Sequence, residues 1–252
     1  MPFFVADVYS EDLGALPNFD GLVAAPNVIG CILKATQGTT YLPNWFLANW
    51  PRAQAAGRIR YGTSWFRGAY HFADPYSSGA AQADFFLGAV ERAGGWGDGD
   101  MPPFYDLEGA AWTSSQQIID IASSFAERVK QRIGKTPCLY TGATVRDRGI
   151  TSRMGFRGIW TPHLDMTRAG WNLGDYKLWQ YAGDGKLYDP ASARYGFPTY
   201  IPGWGGTDMS VVMAGGSFAS SLGAARDVLI GGTPWGTYLL LGGMAALLYA
   251  LA

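Results

Sequence analysis

Short, strand-like apolar runs alternate with helix-like runs through the first two-thirds of this 252-residue chain, and that alternation limits the folds open to it. The runs at 3–7, 28–34, 68–72, 103–108 and 137–140 are apolar, and several end in a polar or charged residue. Between them, 44–56, 77–93 and 114–133 carry apolar residues at helical spacing. In the last of these, Ile118, Ile121, Ala122, Phe125, Val129 and Ile133 form one stripe. Thr113 or Ser114 is placed to cap its start, and Gly134 followed by Pro137 to end it. Strands alternating with helices predict a mostly parallel sheet, open or closed into a barrel. After Ile159-Trp160 the helical signal fades, and 177–181 and the region ending at Asp208 read as strands joined by loops rich in Gly, Pro and Asp.

The fourth strand-like run ends in Asp106-Leu107-Glu108. Side chains alternate faces along a strand, so the two carboxylates point one way and Leu107 points to the core. Neighbouring carboxylates raise one another's pKa, and the pair can hold a proton near neutral pH. Glycosidic cleavage needs such a pair: an acid for the leaving oxygen and an anion for the developing positive charge. The plainer reading is a solvated strand end that caps the next helix. If the sheet closes into a barrel, acids at the C-terminal ends of strands converge on one mouth, and Asp7, Asp106, Glu108 and Asp208 are the candidates.

Charge and composition narrow the partners. Lys+Arg 19 against Asp+Glu 20 leaves a net charge of −1, which gives no electrostatic case for nucleic acid. Cys31 and Cys138 sit in apolar runs and read as buried free thiols. With His71 and His163 they are too few and too scattered for a metal cluster, so no metal and no cofactor is expected. Ten Trp and fourteen Tyr, many beside Gly and polar residues, suit either sugar stacking or an aromatic core. The N-terminus lacks the pattern of a signal peptide. From Val228 to Ala252 there is no charged residue, a length that suits a membrane-spanning helix, and the Gly/Ala/Ser-rich stretch before it reads as a flexible linker.

A set of motifs in order carries a family resemblance: Asp7-Val8-Tyr9-Ser10, Ile32-Leu33-Lys34-Ala35-Thr36-Gln37-Gly38, Gly68-Ala69-Tyr70-His71-Phe72, Asp106-Leu107-Glu108, Leu139-Tyr140-Thr141-Gly142, Trp179-Gln180-Tyr181 and Thr207-Asp208-Met209. Together they resemble glycoside hydrolase family 25, the Chalaropsis-type lysozymes common among phage endolysins and bacterial autolysins. The resemblance implies an α/β fold, an irregular TIM-like (β/α) barrel over 1–212. Outside the resemblance, composition alone reads 213–227 as a linker and 228–252 as a transmembrane helix. The resemblance also implies a muramidase acting on bacterial peptidoglycan. Glu108 corresponds to the general acid and Asp106 to its charge-stabilising partner, either through the substrate's N-acetyl group or as a direct nucleophile. Asp7 and Asp208 correspond to further acids of the cleft. Tyr70, Tyr140 and Trp179 are candidates for the sugar groove, with core packing as the alternative, and His71 reads as a structural histidine. A phage setting, with virion proteins or an internal virion membrane as partners, would reconcile an apolar tail with a substrate outside the cell membrane. The competing readings are a non-catalytic glycan-binding or structural virion protein, and an unrelated glycosidase such as a chitinase.

Overall fold

A computed structural model describes residues 2–9, 18–61, 65–97, 99–109, 111–142, 145, 147–162, 176–201, 204–214, 217–219 and 222–230. Its strands are β1 (Phe4–Val8), β2 (Val28–Gln37), β3 (Phe66–Phe72), β4 (Phe104–Asp106), β5 (Cys138–Tyr140), β6 (Ile159–Pro162), β7 (Tyr176–Gly183), β8 (Lys186–Leu187), β9 (Tyr200–Ile201), β10 (Gly205–Gly206), β11 (Asp208–Ala214) and β12 (Ser217–Phe218). β1 to β7 lie side by side in chain order, each parallel to the next. β11 runs antiparallel between β7 and β1 and closes the sheet into a ring of eight.

Helices α1 (Phe19–Ala24), α2 (Asn44–Tyr61), α3 (Gly79–Arg92) and α4 (Ser115–Ile133) follow the first four strands. Between β5 and β6 the described residues include a helical Val145 and a 3-10 turn, Thr151–Arg153. The first five strands are thus joined by helices; 163–175, where the helical pattern fades, lies outside the described residues. α4 forms where its stripe predicts. The Ser114 hydroxyl accepts from Gln117 N, and Gly134 ends the helix at φ 69°, the left-handed conformation that glycine adopts without strain.

Alternation along each strand separates two apolar layers. Inside the ring lie Val5, Ile32, Phe66, Phe104, Trp160 and Val212. Between ring and helices lie Leu33, Ala69, Tyr105, Phe125 and Val211. Burying each large side chain contributes about 1.5–3 kcal/mol. A register shift in β2 between Lys34 and Thr36 breaks the parity. Lys34 stays with the inner face, while Thr36 turns to His71 in the outer layer. Cys31 and Cys138 are buried free thiols, with burial pushing their pKa values to about 12 and about 11.

The described residues of 213–227 differ from the expected flexible linker. Within 213–227, β12 pairs with β11, and α5 (Leu222–Ile230) begins. Ala219, Ala225 and Leu229 join the inner cluster, and Arg157 Nη2 donates to Val228 O at 3.0 Å. The small residues that suggest flexibility instead let this helix sit close on the barrel, with Ala225 and Leu229 at i and i+4 on one face. Val228–Ile230, the first turn of the expected membrane helix over 228–252, belongs to α5. Among the described residues no helix is long and apolar enough to cross a membrane, and 231–252 lies outside them.

Candidate active site

The acid pair is held from both sides. Ala73 N donates to Asp106 O at 2.8 Å, Leu107 N to Tyr140 O at 2.9 Å, and Thr141 Oγ1 to Leu107 O at 2.8 Å. These bonds carry the ladder beyond β4. Leu107 is buried in the outer layer, so its neighbours Asp106 and Glu108 take the inner side. Asp106 is 7% exposed, whereas Glu108 is exposed at the mouth. Asp106 Oδ1 is buried and has no hydrogen-bond partner among the described residues. Burial, then the charge of Glu108, holds the Asp106 carboxyl well above the usual range, and Lys34 opposes both. Partial desolvation raises Glu108 too, again against Lys34.

Two further acids enter from the seam that closes the ring. Asp7 of β1 is the register partner of Asp208 of β11. Asp208 Oδ2 accepts from Gln180 Nε2 at 2.6 Å, and its Oδ1 from Asp184 N at 3.0 Å. Asp184 and Gly185, with φ 50° and 75°, make the tight turn between β7 and β8 that aims this N–H. Gln180 Oε1 in turn accepts from the Tyr140 hydroxyl at 2.8 Å. A relay Tyr140–Gln180–Asp208 therefore crosses from β5 to β11.

Tyr70 and Tyr140 stand on the inner face, packed on Trp160 with ring centroids 6.3 and 4.5 Å away. Burial, reinforced by surrounding acids including Asp7 and Asp106, pushes both phenols up, so both are neutral hydrogen-bonding groups at the floor of the site. Trp179 is not in the groove. It is 1% exposed in the outer layer against Tyr181 and Tyr195, because alternation puts Gln180, not Trp179, inside. Gln180 is thus a site residue that the Trp-Gln-Tyr motif contains and that strand parity alone identifies.

A cleft of about 540 Å³ opens beside Glu108, lined also by Gln37, Tyr41, Phe72, Asp74, Tyr76 and Trp112. Trp112 Nε1 donates to Glu108 O at 3.1 Å and fixes the backbone behind the acid. Lys34, on β2, completes the mouth. His71 stays out of it. Gln82 Nε2 donates to Asp74 O and Ser77 O, which leaves Gln82 Oε1 to accept from His71 Nε2 at 2.9 Å, while Thr36 Oγ1 donates to His71 Nδ1 at 2.7 Å. Burial lowers this histidine to about 4, so it is neutral and structural. His163 lies outside the described residues. Among the described residues no group of three or more His, Cys, Asp or Glu is arranged to hold a metal ion.

Comparison with known proteins gives this geometry a family. Residues 18–189 match Glycosyl hydrolases family 25. The N,O-diacetylmuramidase of a Chalaropsis species is 38% identical over 119 residues, covering 44% of this chain and 53% of that protein. Lysozyme M1 of Streptomyces globisporus is 33% identical over 169 residues, covering 62% of this chain and 54% of that protein. In fold, a muramidase from Trichobolus zukalii aligns with a TM-score of 0.66 at 26% identity, over 91% of this chain and 100% of that one. The chain spans about half the length of the curated relatives it matches. The matched span holds Asp106, Glu108 and Gln180 and stops short of both Asp7 and Asp208, which reach the same mouth through strand pairing. With well over half its length inside that match, the chain belongs to glycosyl hydrolase family 25.

Proposed function

We propose that this protein is a muramidase that hydrolyses the β-1,4 bond between N-acetylmuramic acid and N-acetylglucosamine in bacterial peptidoglycan. The carrying observation is the pair itself: a buried Asp106 with an oxygen awaiting a partner, beside an exposed Glu108 on the same face of one strand end. The names of the relatives, diacetylmuramidase and lysozyme, support the substrate class.

Glu108 gives its proton to the glycosidic oxygen as the bond from C1 to that oxygen breaks. Asp106 stabilises the positive charge left at C1, either by orienting the substrate's N-acetyl oxygen for attack or by attacking C1 itself. Water then adds at C1 as the bond from C1 to the N-acetyl oxygen, or to Asp106, breaks and its electron pair returns to that oxygen, with Glu108 taking the water's proton. Burial raises both carboxyls, and Asp106 is the more deeply buried of the two. A sugar over the mouth favours the proton on Glu108. It strips water from Glu108, and its N-acetyl N–H supplies Asp106 Oδ1 with the donor it lacks; the first raises Glu108 and the second lowers Asp106.

The test is a turbidity assay on purified cell walls, with reducing ends identified after digestion. Loss of turbidity with new reducing muramic acid ends supports the proposal. Wall binding without new ends returns the protein to the glycan-binding class, and cleavage of chitin in preference to wall removes the muramidase assignment. A membrane anchor within 231–252, and a phage lytic or virion-associated setting for the enzyme, are our reading of an uncharged apolar stretch joined to a wall-cutting barrel.

A further inference from the structure

Lys34 is a charged side chain only 8% exposed, on the inner face of β2 at the same mouth as the acids. Burying an ammonium is costly unless something compensates it. Part of the compensation is aromatic. Lys34 Nζ lies 4.5 Å from the centroid of the Tyr9 ring, 4.8 Å from Phe72 and 5.7 Å from Tyr41. It donates to Gln37 Oε1 at 3.2 Å, a neutral amide three residues further along the same strand. Rings and an amide hold the ammonium in place but leave its charge unneutralised. The remaining compensation comes through space, from the acids across the mouth.

Among the described residues, the charges facing the pair are otherwise of one sign or none. Asp7 and Asp208 stand at the seam, and Asp74 lines the neighbouring cleft. Burial keeps the phenols of Tyr70, Tyr140 and Tyr188 neutral, and Tyr9 and Tyr41 are cage walls. Lys34 is the cation that lowers both Asp106 and Glu108. A direct salt bridge to either carboxyl would occupy an oxygen that substrate needs. A caged ammonium biases ionisation and leaves those oxygens open.

We propose that Lys34 is a positioning residue for charge, an ammonium caged by Tyr9, Tyr41 and Phe72 and tethered to Gln37, which sets the pH range over which the Asp106–Glu108 pair works without itself touching substrate. This rests on that pair being the catalytic pair. Gln37 is part of the device, because a carboxylate in its place would pair with the ammonium and cancel the bias.

The experiment compares wild type, Lys34→Met, Lys34→Arg and Gln37→Glu by the pH profile of wall lysis and by carboxyl-carbon NMR titration of Asp106 and Glu108. Lys34→Met moves both limbs of the profile, and both titrations, to higher pH by on the order of one unit. Gln37→Glu moves them the same way by less, and Lys34→Arg keeps them near wild type. A Lys34→Met protein that loses rate equally at every pH, or loses only KM, with its titrations unmoved, overturns the proposal. If Lys34→Met does not fold, unmoved titrations in Gln37→Glu overturn it equally. The titrations need no turnover, so a wild type that cuts no wall would overturn the muramidase reading and leave the charge effect still measurable.

Discussion

Asp7 and Asp208 stand directly opposite each other in the antiparallel pair of β1 and β11, where the sheet closes on itself. Opposed residues in such a pair share one face, and like charges there repel. Donors from β7 and its turn offset the repulsion: Gln180 Nε2 and Asp184 N both reach Asp208. Closure of the barrel and assembly of the acidic mouth are therefore one structural event.

The relay through Gln180 should couple distant substitutions. Asp208→Asn presents an NH2 to the Gln180 NH2 unless Gln180 flips, and a flip turns its NH2 toward Tyr140 in place of the oxygen that Tyr140 donates to. Tyr140→Phe removes that donor directly. Each change alone should lower wall lysis, and the double variant should lose less than the product of the two. A double-mutant cycle on kcat/KM should give a coupling energy of about 0.5–3 kcal/mol. Strictly multiplicative losses would show that the relay is geometric only.

Glu108→Gln should reduce lysis by roughly 10²–10⁴-fold, since an amide keeps the shape and cannot deliver the proton. Asp106→Asn should also lose rate, and it should raise Tm at neutral pH. The sign follows from the raised carboxyl. The folded state holds this proton above the unfolded value of about 3.9, so native stability is lost as pH rises through the folded pKa. Asn carries no such charge. Its advantage should be a few degrees at pH 7, at ~2–4 °C per kcal/mol for a domain of this size, and should vanish near pH 4. Thermal melts across that range decide it; an Asn variant melting lower at every pH would mean that the ionised carboxylate is needed for folding.

His71 should act in the opposite sense. It is held neutral with a folded pKa of about 4, against 6.5 for the free side chain. Between those values the unfolded chain binds the proton and the native one does not, so stability falls as pH drops from 6.5 towards 4. Urea midpoints of the wild type should show this loss. In His71→Gln, which is less stable at neutral pH for lack of the ring packed on Tyr105 and Phe125, the acid slope should be shallower by up to one proton. An unchanged slope would place the acid sensitivity elsewhere.

Parity explains what could be read from the residues and what could not. Asp106, Leu107 and Glu108 alternate as a strand must, and the structure keeps that pattern even past the last strand residue through the bonds of Leu107 and Thr141. The same rule applied to 179–181 gives Gln180 as the inward residue, yet an aromatic in a sugar-cutting motif draws attention first, and Trp179 is in fact outer-layer core. The seam pair Asp7–Asp208 depends on an antiparallel closure between strands at opposite ends of the domain, which no local pattern encodes. The Lys34 cage depends on a β-bulge and three rings from separate segments. The stretch of α5 within 213–227 misleads by composition, since Gly and Ala are as suited to close helix packing as to flexibility.

That last point makes a truncation series informative. α5 lays Ala225 and Leu229 against the inner cluster that holds Val5, Ile29 and Phe66, and Leu229 is 2% exposed. A chain ending at Ile230 keeps this packing and should fold, melt and cut walls like the full chain. A chain ending before Leu222 loses it and should melt several degrees lower. Leu229→Ala in the longer form should cost about 2–5 kcal/mol, the range for a buried leucine. The segment beyond, 231–252, has no charged residue, and as a helix at 1.5 Å per residue would extend roughly 33 Å, close to the thickness of a bilayer's hydrocarbon core. Flotation with phospholipid vesicles should therefore carry the full chain upward and leave the chain ending at Ile230 behind. If both forms stay at the bottom while both cut walls, the tail is no anchor; if the chain ending at Ile230 unfolds, the tail belongs to the core.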